Sequence, residues 1–271
     1  MPWSKLKNII LVILVLTNLC LLVSVLGQRL HSSALRSQAR DNAVRFLQSR
    51  GVQLEESLVP QTVSLLPQLV ERDLEGEAAC AAALLQGAVR AEARGGEVYR
   101  YDNENGAVQF HSDGVFSAEL APGVFPVGEE PEKTCLELLS WLGFQGELLG
   151  REGEEFTFRQ LWEGDPVFNQ QVTVRCRKGY VHSMTGGRRL VGAPQGDPSR
   201  TVITPATALI ELFNGVTALG DVCSRVDRIE EGYVSAASLS GPMTLTPVWR
   251  VTTDTGAYQV DAVTGGVSRI P

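Results

Sequence analysis

The sequence predicts an α+β protein: a single N-terminal transmembrane helix followed by antiparallel sheets, each packed with one helix. Three observations lead there. Residues 9–26 run without a charged side chain. From about residue 97 onward, apolar and polar residues alternate between Asn/Gly and Asp-Gly turns, the period-2 mark of antiparallel strands. A pattern also occurs twice: an amphipathic helix, then Pro-Val-aromatic, then Thr-Gly-Gly. The helix signal is Pro131, Cys135, Leu138, Leu139 and Leu142, and again Pro205, Leu209, Leu212, Phe213 and Val216, each 74 positions on. Pro166-Val167-Phe168 returns as Pro247-Val248-Trp249 after 81 positions, and Thr185-Gly186-Gly187 as Thr264-Gly265-Gly266 after 79. A kept order with drifting spacing is what two copies of one helix-and-sheet module show once their loops have changed length, because loop insertions cost little.

Taken in order, residues 1–8 are a short tail carrying Lys5 and Lys7. The run over 9–26 follows; at about 1.5 Å per residue it spans roughly 27 Å, close to the hydrocarbon thickness of a bilayer. A cleavable signal peptide competes with this reading, since Lys5 and Lys7 would make its basic region. The run exceeds the usual apolar length of roughly 7 to 15 residues and has no A-x-A site, which favours an uncleaved anchor. Basic residues are nearly balanced across it, with Arg29, Arg36 and Arg40 on the far side; the short tail is the easier side to leave in the cytoplasm, so the bulk is expected outside the plasma membrane. Thr17 and Asn18 are polar residues in the middle of the run. They either bond back to the helix's own backbone or, for Asn18, reach a neighbouring transmembrane helix.

Beyond the anchor, Ala43, Phe46 and Leu47 form an apolar stripe within 37–50, a helix stopped by Gly51. Short strands are expected over 52–54 and 61–70, with Pro60 and Pro67 confining them to edges or ends. Residues 74–85 are rich in Ala, Leu and Glu and read as a helix. A β-meander then runs over 97–120. These elements make an N-terminal extracytoplasmic α+β domain over 35–122, bounded by a Pro/Gly/Glu-rich passage. The first module covers 129–194, with strands around 156–162, 167–175 and 180–182. The second covers 202–271, with Thr204 capping a helix that opens on Pro205, and strands at 224–229, 233–238, 246–252 and 258–263.

Composition narrows the function. The part beyond residue 27 carries 31 acidic residues against 22 basic ones, 24 less Lys5 and Lys7. Such a surface gains nothing from a phosphate backbone, which argues against nucleic acid as partner. Cys80, Cys135, Cys176 and Cys223 would lie outside; four thiols allow two disulfides in three connectivities or a set of buried free thiols, and none has metal-ligand spacing. His31, His111 and His182 are the three histidines, and no zincin, nucleophile-elbow or phosphate-loop pattern accompanies them. No catalytic residue, cofactor or metal site is expected, and the protein is read as a non-enzyme. The acidic clusters near 129–132 and 152–155 read as solvated loops. Trp249 and Tyr258, with Trp162 and Phe168, form either a binding face or the core of the modules.

The opening Met1-Pro2-Trp3-Ser4-Lys5-Leu6-Lys7-Asn8-Ile9, the single anchor, and Pro247-Val248-Trp249-Arg250-Val251 leading through Gly256-Ala257-Tyr258 to Asp261-Ala262-Val263-Thr264-Gly265 resemble the YycI-type (WalI) proteins of the YycH/YycI group of Gram-positive bacteria. Pro166-Val167-Phe168-Asn169 and Glu231-Gly232-Tyr233 are similar to the same group. The Trp strand running to Asp-Ala-x-Thr-Gly also resembles PepSY modules of protease propeptides and sensor-associated lipoproteins. The resemblance implies a regulatory protein that contacts a membrane-bound sensor histidine kinase of a two-component system for cell-wall homeostasis, partly through transmembrane helices, with a YycH-type sister protein and the lipid bilayer as further partners. The candidate residues for partner contact are Trp3, Asn18, Trp249 and Tyr258. The alternative that the resemblance leaves is a tethered PepSY-like inhibitor or ligand-binding module.

Overall fold

A computed structural model describes residues 3–187, 192–238 and 241–270, with the side chains of 3–12, 20 and 23–33 outside the description. It opens on one helix, α1 (Trp3–Ser49), 47 residues without a break. The helix expected over 37–50 is the foot of this rod rather than a separate element. Gly51, at φ +88°, stops it and lets the Val52 N–H return to the Leu47 carbonyl at 3.1 Å. A short 3-10 turn (Glu56–Leu58) and β1 (Gln68–Val70) follow. Of the strand expected over 61–70 only the last three residues form one.

Helix α2 (Leu74–Leu84) is capped by Asp73, whose carboxylate accepts from the Gly76 N–H at 3.0 Å. Its Glu77 is fully buried against Arg72, 2.9 Å away, and Arg72 also stacks on Tyr99. The meander is β2 (Arg90–Ala93), β3 (Tyr99–Asn103), β4 (Gly106–Phe110) and β5 (Val115–Leu120). Next come α3 (Pro131–Trp141) and four antiparallel strands, β6 (Gln145–Glu152), β7 (Glu155–Trp162), β8 (Asp165–Arg177) and β9 (Tyr180–Gly187). After the short β10 (Pro194–Gly196), the helix-then-meander order repeats: α4 (Pro205–Ala218), β11 (Val226–Ala236), β12 (Met243–Thr253), β13 (Gly256–Asp261) and β14 (Val267–Ile270). Thr204 caps α4 by accepting from the Thr207 N–H at 3.3 Å.

The chain is therefore α+β, and among the described residues its strands form one mixed sheet in the order β10-β1-β12-β11-β8-β9-β5-β4-β3-β2, with β13 and β14 continuing from β12 and β6 and β7 from β8. The two helix-and-sheet units meet edge to edge at β8 and β11, which run parallel with Tyr233 beside Val167. On its other side Tyr233 pairs with Pro247. The two Pro-Val-aromatic signals thus flank the same point of β11.

The repeated signals do not occupy the same place in the two units. Gly265, at φ +75°, serves the turn between β13 and β14, as a glycine after a strand is expected to. Gly186 lies inside β9, where a Cβ would stand 2.1 Å from the Gln171 carbonyl oxygen of β8. One glycine answers a turn and the other a close approach of strands.

Apolar residues gather in cores that do not follow chain order. One joins α2, the meander, α3 and β7 to β9. Another joins the foot of α1 (Ala43, Val44, Leu47), α4, and Trp249, Val251, Tyr258 and Val260 of β12 and β13. The helix over 37–50 therefore packs on the second unit, not on the meander with which its place in the chain groups it. A small third cluster, with Leu65, Val167, Tyr233 and Leu245, lies at the junction.

Tyr233 gives that junction a pH signature. Burial, helped by the Asp165 and Glu163 carboxylates, pushes its phenol up to about 12 from the ordinary 10.0. Its hydroxyl donates to the Leu66 carbonyl at 3.3 Å. Because the folded value lies above the unfolded one, this stabilisation is complete below pH 10 and is lost as the pH rises through about 12, the unfolded chain releasing the proton first. Denaturant midpoints measured from pH 8 to 12 should fall above pH 10, and Tyr233→Phe should flatten that fall.

Candidate functional site

The outer half of α1 is the first place where this protein can meet another. Ile13, Leu14, Val15, Leu16, Leu19, Leu21 and Leu22 are all exposed on it. Asn18 donates from Nδ2 to the Leu14 carbonyl at 3.0 Å, and Thr17 donates from Oγ1 to the Ile13 carbonyl at 2.8 Å. Both side chains thus bond back one turn, which removes their donors from apolar surroundings at little cost. In this arrangement one N–H of the Asn18 amide is used within the helix, and the second N–H and Oδ1 are not part of that bond. Trp3 falls among the residues whose side chains lie outside the description. The expected span over 9–26 is helical in its backbone throughout. Among the described residues, no helix is long and apolar enough to cross a membrane.

At the foot of this rod lies a groove of about 530 Å³ between α1, the segment 61–66 and the approach to α4. Leu35, Val63, Leu66 and Val202 give it an apolar floor, and Arg36, Arg40 and Arg200 its charge. Among the described residues no carboxylate lines it, although the chain carries a net charge of −7. Arg40 is held by two hydrogen bonds to Asp41, at 3.1 and 2.9 Å, and Arg200 donates to Thr246 Oγ1 at 3.1 Å. Arginines fixed in this way lose less entropy on meeting an anionic group than free ones do. The helical spacing of Arg36 and Arg40 is legible in the sequence. Arg200 comes from a loop some 160 positions away, and only the fold brings it there.

The aromatic residues put forward for partner contact are turned inward. Trp249 is 4% exposed and Tyr258 0%. Trp249 pairs with Val260 and Val251 with Tyr258 across β12 and β13, so all four share the face covered by α4 and the foot of α1. The Trp249 indole donates to Glu231 Oε1 at 2.9 Å, and the Tyr258 hydroxyl donates to Asp221 Oδ2 at 2.7 Å. Burial raises the Tyr258 phenol above its ordinary range. The proposed binding face of Trp249 and Tyr258 is corrected to a core: strand alternation aims both at the helices. Phe168 is likewise buried, and Trp162 donates to Gln68 Oε1 at 2.8 Å.

The junction of β8 and β11 holds an arrangement that no local motif announces. The guanidinium of Arg250 lies 4.1 Å from the centre of the Phe168 ring, and that of Arg159 lies 5.4 Å from it. Arg159 is paired with Glu147 and, at 3.2 Å, with Glu230. The Arg250 Nε is buried without a hydrogen-bond partner, and burial, then the Arg159 charge, lowers the pKa of that guanidinium. Stacking on an aromatic face offsets part of the desolvation of such a group.

His111 Nε2 sits 3.0 Å from Gln109 Nε2, His182 is exposed, and the side chain of His31 is outside the description. Among the described residues, no three His, Cys, Asp or Glu side chains gather as a metal site would require.

No family model matches the sequence, and no curated protein matches it. Two solved structures resemble the fold at low similarity. An uncharacterized protein from Eubacterium rectale is 12% identical over 76% of this chain and 86% of its own, with a TM-score of 0.42. The Bacillus megaterium YpeB C-terminal domain is 12% identical over 74% of this chain and 99% of its own, with a TM-score of 0.35.

Proposed function

We propose that the chain is a membrane-anchored extracytoplasmic regulatory protein, that it acts by contact, and that its partner is a membrane-bound sensor histidine kinase of a two-component system controlling the cell wall. The observation that carries this reading is the continuity of α1. One helix holds the charge-free stretch over 9–26 at one end and, at the other, buries Ala43, Val44 and Leu47 in the core of the second unit. At about 1.5 Å per residue such a rod extends roughly 70 Å. A displacement at its membrane end is delivered to α4 without a joint to absorb it. Packing of its outer half against the kinase's transmembrane helices would favour one kinase conformation over the other, and a differential affinity of about 1.4 kcal/mol shifts that balance tenfold. The resemblance to the YycI-type proteins supplies the class of partner.

Exchange of residues 1–28 for an unrelated apolar anchor of the same length tests this. Kinase autophosphorylation in reconstituted membranes should lose its dependence on the protein, with the exported body still present and folded. Unchanged regulation would assign the activity to the body alone.

The groove at the foot of α1 supports a second reading, a tethered PepSY-like inhibitor or ligand-binding module. Its three arginines over an apolar floor suit an amphiphilic anionic ligand or an acidic peptide segment. On this reading a fragment starting at Arg29 binds its target without a membrane, and Arg36→Glu together with Arg200→Glu abolishes the binding.

A further inference from the structure

Of the four described cysteines, two face each other. Cys135 lies on the buried stripe of α3 with Leu138 and Leu139, and Cys176 continues the inward alternation of Val172 and Val174 along β8. Their sulfurs are 4.0 Å apart. Cys223 lies in the other core, with its thiol directed at the Arg225 carbonyl at 3.5 Å. We propose that Cys135 and Cys176 are an oxidisable pair that closes to an intramolecular disulfide and staples α3 to β8.

The geometry asks for little. A disulfide needs a sulfur separation of about 2.05 Å, so from their present 4.0 Å the two sulfurs have about 2 Å left to close. The two sites differ in access. Cys135 is fully buried and Cys176 is partly exposed. This sets the order of events with a low-molecular-weight disulfide, of the oxidised glutathione class, as oxidant. The Cys176 thiol loses its proton to solvent, and its sulfur attacks one sulfur of the oxidant. The oxidant's S–S bond breaks, a mixed disulfide forms on Cys176, and one thiolate leaves. Cys135, deprotonated in turn, attacks the Cys176 sulfur, and the second thiolate leaves. Two protein thiols are oxidised and one small disulfide is reduced to two thiols.

Burial raises both thiols, Cys135 to about 12. Closure is therefore slow at neutral pH and quickens as the pH rises, since only the thiolate attacks. The staple's place gives it a consequence. β8 pairs with β11 near its start, at Val167, so the staple ties α3 to the far end of the strand that joins the two units.

The test uses the full chain in detergent with Cys20→Ser, Cys80→Ser and Cys223→Ser, so that only this pair remains, incubated with oxidised glutathione at pH 8. The expected result is the loss of two hydrogens by intact mass, a peptide linking Cys135 to Cys176, and a melting temperature about 5 °C or more above that of the reduced form. Cys135→Ser should stop the reaction at a single glutathione adduct on Cys176, and Cys176→Ser should leave Cys135 unmodified. An adduct on Cys176 that never resolves in the chain with both thiols overturns the proposal. So does a full complement of free thiols after prolonged incubation at pH 9 while the chain stays folded by circular dichroism. In the natural five-cysteine chain, a linkage of either residue to Cys20, Cys80 or Cys223 in preference to its neighbour overturns it too.

Discussion

Leu47→Asp should release the foot of α1 from the body and abolish regulation while leaving the anchor in place. Leu47 is 1% exposed, and it packs with Ala43 and Val44 against the core that holds Leu209, Leu212 and Val216 of α4. Truncating such a leucine costs about 2–5 kcal/mol, and a carboxylate in its place adds a charge with no partner in an apolar setting. The neighbouring contact of Phe46 with Phe213, ring centres 6.0 Å apart and nearly perpendicular, sits on the rim and is too small to hold the helix by itself. Hydrogen exchange should then show loss of protection across the last turns of α1 and across α4, with the core around α3 unaffected. If kinase output were retained after α1 had come free of α4, the rod would not be the route of regulation, and the outer half of the helix would be acting alone. Leu47→Met, which conserves volume, should change neither readout.

How far the sequence discloses this fold depends on whether an element's reason is local. The helix over 74–85 and the meander over 97–120 are legible because the Asp73 cap, the Asn/Gly turn and the inward alternation of Phe116, Ala118 and Leu120 all lie within the segments concerned. Two strands escape. β2 is exposed along its whole length, and β6 carries two glycines and is exposed or half-buried throughout, so neither has an alternation to read. The single strand β11 reads as two because Glu230, Glu231 and Gly232 interrupt its apolar pattern. Those residues answer distant partners: Glu230 accepts from Arg159, Glu231 accepts from Trp249, and Gly232 makes room for β8. The candidate surfaces divide in the same way. The exposed apolar face of α1 is visible in the charge-free run, whereas the groove and the Arg-on-Phe168 stack are assembled from segments far apart. Trp249 and Tyr258 are marked by their motif but buried by register, and register is a property of the whole sheet.

Gly232→Val should open the junction between the two units. A Cβ at this position would lie 2.5 Å from the Pro166 carbonyl oxygen and 2.6 Å from the Phe168 ring, closer than real Cβ atoms approach. Neither neighbour can yield easily. The carbonyl belongs to the β8 backbone, which is committed on its other edge to β7, with Leu161 opposite Pro166. The ring is buried, with Arg250 and Arg159 stacked on it. Overpacking at a site that can relax costs about 1–3 kcal/mol; here the backbone must part, and the cost should stand at or above the top of that range. β8 and β11 meet at one parallel pairing, and beyond it Asn169 and Gln170 of β8 are hydrogen-bonded to Ser235 of β11, bonds that depend on the two strands staying close. Denaturant unfolding should change from one transition to two, the unit containing α4 melting first, since it also loses the shelter of Tyr233 and Leu245 at the junction. Phe168→Ala in the Gly232→Ala background should restore part of the stability lost by Gly232→Ala alone, because it removes the ring but not the carbonyl. A Gly232→Val protein that unfolds in one transition at the wild-type midpoint would mean that the β8–β11 contact does not unite the sheet, and that the two units are held together by the segments around β1 and β10.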